Sequence, residues 1–157
     1  MTAAGLYVHI PFCSSRCSYC DFATGLYQSQ LAERYVGGLS EEIRTSQYAG
    51  ENVDTIYFGG GTPSLLAPAQ LEQVLAALYD NFKIATGSEI TLEINPGSAT
   101  LEKLRAFRSL GVNRASFGAQ TFDDAELAKL AARIMPSMHC ERLLSCATRI
   151  SRMSVLI

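Results

Sequence analysis

The stretch "GLYVHIPFCSSRCSYCDF", residues 5–22, decides how the rest of the chain is read. Its first half is apolar and β-branched and ends at Pro11, which is the signature of a strand. Three cysteines then follow at the spacing C-x3-C-x2-C: Cys13, Cys17 and Cys20. A strand that runs into a loop of thiols raises two questions: what the loop binds, and what the following elements bring to it.

Strand and helix signals alternate downstream. From about Gln28 to Gln47, the residues Leu31, Tyr35, Leu39 and Ile43 recur at four-residue spacing, one face of a helix. "DTIYF" (54–58) reads as a short buried strand stopped by "GGGTP". Pro68 suits the first position of a second helix, with Leu71, Val74, Leu75, Leu78 and Phe82 on one face. "SEITLEINPG" (88–97) is a third strand closed by Pro96-Gly97. Leu101, Leu104, Phe107 and Leu110 mark a third helix, with Gly111 as its C-terminal cap. "VNRASFGAQ" (112–120) is a fourth strand, and a fourth helix is expected from Asp123 onward.

The order is βαβαβαβα. Strands joined by helices run parallel, with right-handed crossovers. The expected fold is therefore α/β, a partial (β/α) TIM-like barrel with four βα units. In such folds chemistry gathers at the C-terminal ends of the strands. The cysteines follow strand one, the glycines follow strand two, Glu93 ends strand three and Gln120 ends strand four.

Composition sets the bounds. The chain has 157 residues, 48% hydrophobic and 18% charged, as in a soluble globular domain. A net charge of −2 makes no case for a nucleic-acid partner. No apolar run reaches a membrane span, and "MTAAGLYVHIPFC" lacks the basic start and long apolar stretch of a signal peptide. A cytoplasmic location is expected, where thiols stay reduced and clustered cysteines point to metal or catalysis.

Thiolates are soft ligands that suit iron–sulfur clusters or zinc. Iron–sulfur clusters usually have four cysteine ligands, so three would leave one iron for a small chelating molecule. The alternatives are zinc completed by His9, His139 or Cys140, and inert thiols. "GGGTPS" (59–64) is either a tight turn or a place where a ligand approaches the backbone, and it lacks the Lys-Ser/Thr ending of a Walker loop. Glu93, at a strand end, is costly to bury alone, so it has either a basic neighbour or a ligand. Tyr7 and Tyr19 read as packing residues and His9 as a satisfied core histidine.

The cysteine spacing on a first βα loop resembles the radical S-adenosylmethionine (SAM) superfamily. "LYVHIPFCSSRCSYCDF", "TIYFGGGTPSLL", "EITLEINPG" and "NRASFGAQTFDDAEL" are similar to consecutive blocks of its HemN/HemW group, over residues 5 to about 131. The resemblance implies a [4Fe–4S] cluster on Cys13, Cys17 and Cys20, with SAM chelating the open iron. An electron from the cluster would cleave SAM to methionine and a 5′-deoxyadenosyl radical. It further implies Gly60, Gly61 and Thr62 as contacts to the methionine part of SAM, and Tyr7, Tyr19, Glu93 and Gln120 as SAM contacts. Haem or a porphyrinogen, and an electron-donor protein, are the implied partners. The porphyrinogen-dehydrogenase branch has a further cysteine where this chain has Phe22, and the Asp-Phe ending resembles the haem-chaperone branch. The implied function is thus haem handling by a HemW-like protein. Oxygen-independent coproporphyrinogen III oxidase chemistry and a non-functional fragment are the alternatives. No catalytic side chain is assigned.

Residues 132–157 change in texture, rich in Met, Ser, Cys and Arg with weak helical periodicity. They are expected to be an aberrant tail after a core of residues 1–131. Back-translation of "IMPSMHCER" from the third base of the Ile134 codon allows a family-like His-Ala-x-x-Ala-Leu-Arg-Ala, which fits a shifted reading frame near codons 131–134. A divergent terminal helix is the alternative. Arg133 falls near the arginine of a further family motif, one residue beyond the family spacing, and Cys140, Cys146 and His139 are then accidental. Without later strands, the fourth would be an open edge and the chain poorly stable.

Overall fold

A computed structural model describes residues 3–17, 20–95, 99–118 and Asp123, together with the backbone of 154–156. Strand β1 (Ala4–Ile10) is followed by two-residue strands β2 (Phe12–Cys13) and β3 (Gly25–Leu26) and by helix α1 (Ser29–Arg44). Strand β4 (Asn52–Gly60) leads through a short 3-10 turn (Pro63–Leu65) into α2 (Pro68–Asn81). Then come β5 (Lys83–Ile94), α3 (Leu101–Ser109), β6 (Arg114–Phe117) and β7 (Ser154–Leu156).

Among the described residues one sheet has the order β1-β4-β5-β6-β7, and every neighbouring pair is parallel. Spatial order equals chain order, so each crossover moves one strand along and builds a continuous piece of barrel wall. The register puts Tyr7 opposite Tyr57, Tyr57 opposite Thr91, and Thr91 opposite Arg114. The next row on the same face includes His9 opposite Gly59, and Glu93 opposite Ser116.

Alternation decides which face is core. Val8, Ile10, Ile56, Phe58, Ile90, Leu92, Ile94, Ala115 and Phe117 are buried, together with Val36, Leu71, Val74, Leu75, Leu78, Leu104 and Phe107 of the helices. The side chains between them on the strands carry the polar and aromatic groups, among them Tyr7, Tyr57, Glu93 and Ser116. Helices thus cover one face, and the other is the concave face of an open barrel segment. On that face Thr91 is buried, its hydroxyl bonded to Glu89 and to Arg114, which also pairs with Glu89 at 3.3 Å.

Four local readings needed correction. On α1 the buried stripe is centred on smaller residues than the expected row: Ala32, Val36 and Ser40 are buried along with the expected Ile43, and Leu31 is 43% exposed. Small residues let the helix axis approach the sheet, Ser40 satisfies its hydroxyl on the Val36 carbonyl at 2.7 Å, and Tyr35 and Leu39 pack at the flanks. Strand β5 begins at Lys83 rather than Ser88. Its first residues pair with Asn52 and Val53, and the register shifts before pairing resumes at Thr55 and Glu89. Gly87, at φ +83°, supplies a turn in this irregular stretch that no alternation pattern signals. The third correction is β7, whose backbone pairs with Arg114, Ala115 and Ser116, so β6 is not the open edge expected. The fourth is the cysteine loop, which is closed by a parallel ladder between β2 and β3 rather than being simply a loop. Gly111 does cap α3 as expected, at φ +105° with its N–H on the Arg108 carbonyl. The fourth helix expected from Asp123, the boundary near residue 131 and most of the tail lie outside the described residues.

The exposed position of Leu31 on α1 is testable. Leu31→Ala is expected to change unfolding free energy by less than about 0.5 kcal/mol, whereas Leu71→Ala, at a position with 0% exposure, costs about 2–5 kcal/mol. Urea unfolding followed by circular dichroism compares the two directly.

Candidate functional site

The C-terminal ends of four strands meet around one open pocket of about 380 Å³. The cysteine loop after β1 contributes Cys13, Cys17 and Cys20, each half-buried and a free thiol. The turn after β4 contributes Gly60, Gly61 and Thr62, β5 ends there with Glu93 and Asn95, and β6 supplies Ser116, Phe117 and Gly118.

The loop and the turn are stitched together by backbone. Gly25 donates to the Pro11 carbonyl at 2.7 Å and Tyr27 to the Cys13 carbonyl at 2.9 Å, which closes the base of the loop. Gly61 donates to Ile10 at 2.9 Å and Thr62 to Phe12 at 2.7 Å, which draws the turn against β1 and β2. Phe12 is buried, edge-on to the rings of Tyr27 and Tyr35. A Cβ on Gly61 would stand 2.6 Å from the Phe12 oxygen and 2.9 Å from Cys13 Sγ, so a side chain there would push the thiol aside. The Thr62 hydroxyl lies 3.8 Å from the same sulfur.

Among the described residues Glu93 has no basic partner. Its Oε1 accepts from the Tyr57 hydroxyl at 2.7 Å and its Oε2 from the Gly60 N–H at 3.2 Å. These bonds fix a carboxylate on the pocket wall without neutralising it. Burial raises the Tyr57 hydroxyl pKa above its usual 10.0, and the bond to Glu93 adds to the shift. Tyr7 is raised from its usual value as well, by burial first and then by the Glu93 charge.

The structure brings Cys13, Cys17, Cys20, Gly60, Gly61, Thr62 and Glu93 to one site. Tyr7 is not in its lining: it is 61% exposed, stacked on Tyr57 at 6.1 Å, with its hydroxyl 3.0 Å from His9 Nδ1. His9 is not a core residue. It lies half-buried on the concave face, because its place in the β1 alternation falls between Val8 and Ile10, which point into the core. Tyr19, Gln120, Arg133, His139, Cys140 and Cys146 lie outside the described residues. Asn95, Ser116, Phe117 and Gly118 line the pocket without a motif that marks them, and Tyr57, outside the lining, supports it through its bond to Glu93. Their signal was positional, since each lies at or beside a strand end or on the concave phase of its strand.

The donor set can be tested against metal chemistry. Among the described residues no three His, Cys, Asp or Glu groups converge as ligands of a single ion. An iron–sulfur cluster makes a different demand, with each thiolate on its own iron around a cage. Three half-buried free thiols on one pocket, with the Gly61 backbone leaving room beside Cys13, are a donor set of that kind.

Comparison with known proteins gives one consistent picture. Residues 7–154 match the family model described as Radical SAM superfamily. The chain is 43% identical to a haem chaperone HemW of Synechocystis over 128 residues, covering 78% of this chain and 31% of that protein. It is 38% identical to an oxygen-independent coproporphyrinogen III oxidase of Bradyrhizobium diazoefficiens, covering 77% of this chain and 28% of that one. Among solved structures it superposes on coproporphyrinogen III oxidase (HemN) from Escherichia coli, a radical SAM enzyme. The TM-score is 0.87 at 34% identity, over 96% of this chain and 35% of that one. The chain thus spans about a third of the length of these relatives.

The raised Tyr57 hydroxyl, shifted by burial first and by Glu93 second, has a pH signature. A tyrosine whose folded pKa is raised holds its proton after the unfolded chain has lost it, so stability falls as pH rises past the usual value of 10.0. Unfolding midpoints measured from about pH 9 to pH 11 are expected to fall in the parent and to fall less steeply in Tyr57→Phe.

Proposed function

Because the chain belongs to the radical SAM superfamily, which implies a [4Fe–4S] cluster and SAM, we propose that Cys13, Cys17 and Cys20 hold the cluster and that the adjoining pocket binds SAM in the service of haem handling. The observation that carries this reading is the convergence of three free thiols, a glycine turn and a fixed carboxylate on one pocket. When bound, the cluster supplies a single electron for reductive cleavage of SAM to methionine and a 5′-deoxyadenosyl radical.

The chain's own residues divide the remaining work. Gly60, Gly61 and Thr62 all spend their N–H groups inside the protein, on Glu93, Ile10 and Phe12. The turn therefore has none of these donors left for an anion, and with Glu93 beside it the wall suits a hydrogen-bond-donating group such as the amino group of SAM. Gly61 lets that group approach beside Cys13. Ser116 and Asn95, also on the pocket wall, supply neutral polar groups for the rest of the ligand. Tyr19 and Gln120 complete the proposed SAM contacts. Tyr7 contributes indirectly, through its stacking on Tyr57.

Haem handling is preferred to porphyrinogen chemistry because of Phe22. Where the dehydrogenase branch places a further cysteine, this chain exposes an aromatic ring, 69% accessible, on the pocket rim. The relatives named as haem chaperones support the same choice. The oxidase reading is kept as an alternative on the strength of the structural likeness to HemN.

Anaerobic reconstitution with iron and sulfide decides among the readings. About four irons per chain are expected, with loss of bound iron in Cys17→Ala and Cys20→Ala. On reduction in the presence of SAM, methionine and 5′-deoxyadenosine should appear. Haem binding without loss of carbon dioxide from coproporphyrinogen supports the chaperone reading, and decarboxylation supports the oxidase. A well-folded chain that takes up no iron removes both and leaves a non-functional fragment.

A further inference from the structure

We propose that His9 and Arg16 are positioning residues that fasten the cysteine loop, His9 to the glycine-turn side of the pocket and Arg16 across the loop's own span. The proposal rests on the reading of Cys13, Cys17 and Cys20 as cluster ligands, but the fastening itself is a property of the chain.

Among the described residues, few other contacts fix the loop 14–24. At its base it has the two-residue ladder of β2 and β3 and two flanking backbone bonds. Within it, Cys20 donates to the Cys17 carbonyl at 3.2 Å, which shapes one turn but ties it to nothing outside. Two side chains supply further ties, and they reach consecutive carbonyls. His9 Nε2 lies 3.4 Å from the Ala23 oxygen, and Arg16 Nη2 donates to the Thr24 oxygen at 2.7 Å.

The His9 contact has only one workable polarity. A carbonyl oxygen accepts and does not donate, so Nε2 must carry the proton. In the neutral ring with that tautomer, Nδ1 is an acceptor, and it faces the Tyr7 hydroxyl at 3.0 Å. The ring is held from below as well. Gly60, at φ +115°, lies so close that a Cβ would stand 2.7 Å from the imidazole, and the Gly60 N–H is the group that holds Glu93 Oε2. The His9 carbonyl accepts from the Tyr35 hydroxyl at 2.6 Å, which anchors its backbone to α1. His9 therefore stands between the cysteine loop and the Gly60–Glu93 wall. Arg16, within the C-x3-C spacing, makes a charge-assisted bond across the loop and limits how far Cys17 can swing.

Two measurements on the full chain test this. In the metal-free chain, rates of alkylation by iodoacetamide are followed at each cysteine by mass spectrometry. Losing one such bond is expected to raise the rates at Cys17 and Cys20 about fivefold in His9→Leu and in Arg16→Ala, with Cys13 in β2 nearly unchanged. His9→Gln keeps an N–H donor and should stay near the parent, and Arg16→Lys should fall between. In the reconstituted chain, release of iron to a chelator should accelerate in the same order. Parent-like alkylation at Cys17 and Cys20 in both His9→Leu and Arg16→Ala overturns the proposal. So does a His9→Gln variant as impaired as His9→Leu, since that would make the ring a volume filler. If His9→Leu does not keep the parent circular dichroism spectrum, Arg16→Ala carries the decision. Should the parent take up no cluster, the cluster reading fails while the metal-free rates still decide the fastening.

Discussion

A strand sends successive side chains to opposite faces, and in this sheet the two faces meet different surroundings. Val8, Ile10, Ile56, Phe58, Leu92 and Ile94 go under the helices, so Tyr7, His9, Tyr57 and Glu93 must go to the concave side. Slipping β5 by one residue would turn Glu93 into the buried core face and expose Leu92 and Ile94. The hydrophobic cost of that slip is what holds a carboxylate at the pocket wall. The parallel arrangement adds the second half of the constraint, because all the strands deliver their C-terminal ends to the same rim.

At that rim the parts depend on one another. Gly61 can pass beside Cys13 only because it has no side chain, and its N–H then secures the turn to Ile10. The turn presents the Gly60 N–H to Glu93, while Tyr57 holds the other carboxylate oxygen. His9 packs on Gly60 and reaches the loop that carries the thiols. Gly61 and Thr62 meet the Cys13 sulfur directly, so the spacing between loop and turn is set there by contact.

Much of this could be read in the sequence. The alternation of apolar strands and helical stripes, Pro68 at a helix start and Gly111 at a helix end all express local rules, and they appear where those rules put them. The cysteine spacing and the glycine run could be read because thiols and consecutive glycines are uncommon. What escaped depends on tertiary register. The exposure of Leu31 beside a buried Ala32, Val36 and Ser40 on α1 follows from how closely the small residues let that helix sit on the sheet, which its own period cannot reveal. The irregular entry to β5 around Gly87 and the pairing of β7 with β6 are long-range matches. His9 looked like a core residue because its neighbours are apolar. Its face is set by the strand pairing, and its partner Ala23 is distant in sequence.

In the proposed site three thiols suffice because SAM would supply to the open iron what a fourth thiol would have supplied. Electron paramagnetic resonance of the reduced, reconstituted chain tests it most directly, recorded before and after addition of SAM. The account predicts that SAM changes the spectrum of the parent and does so weakly or not at all in Glu93→Ala, with the cluster content unchanged. A fully formed cluster whose spectrum is the same with and without SAM would contradict it.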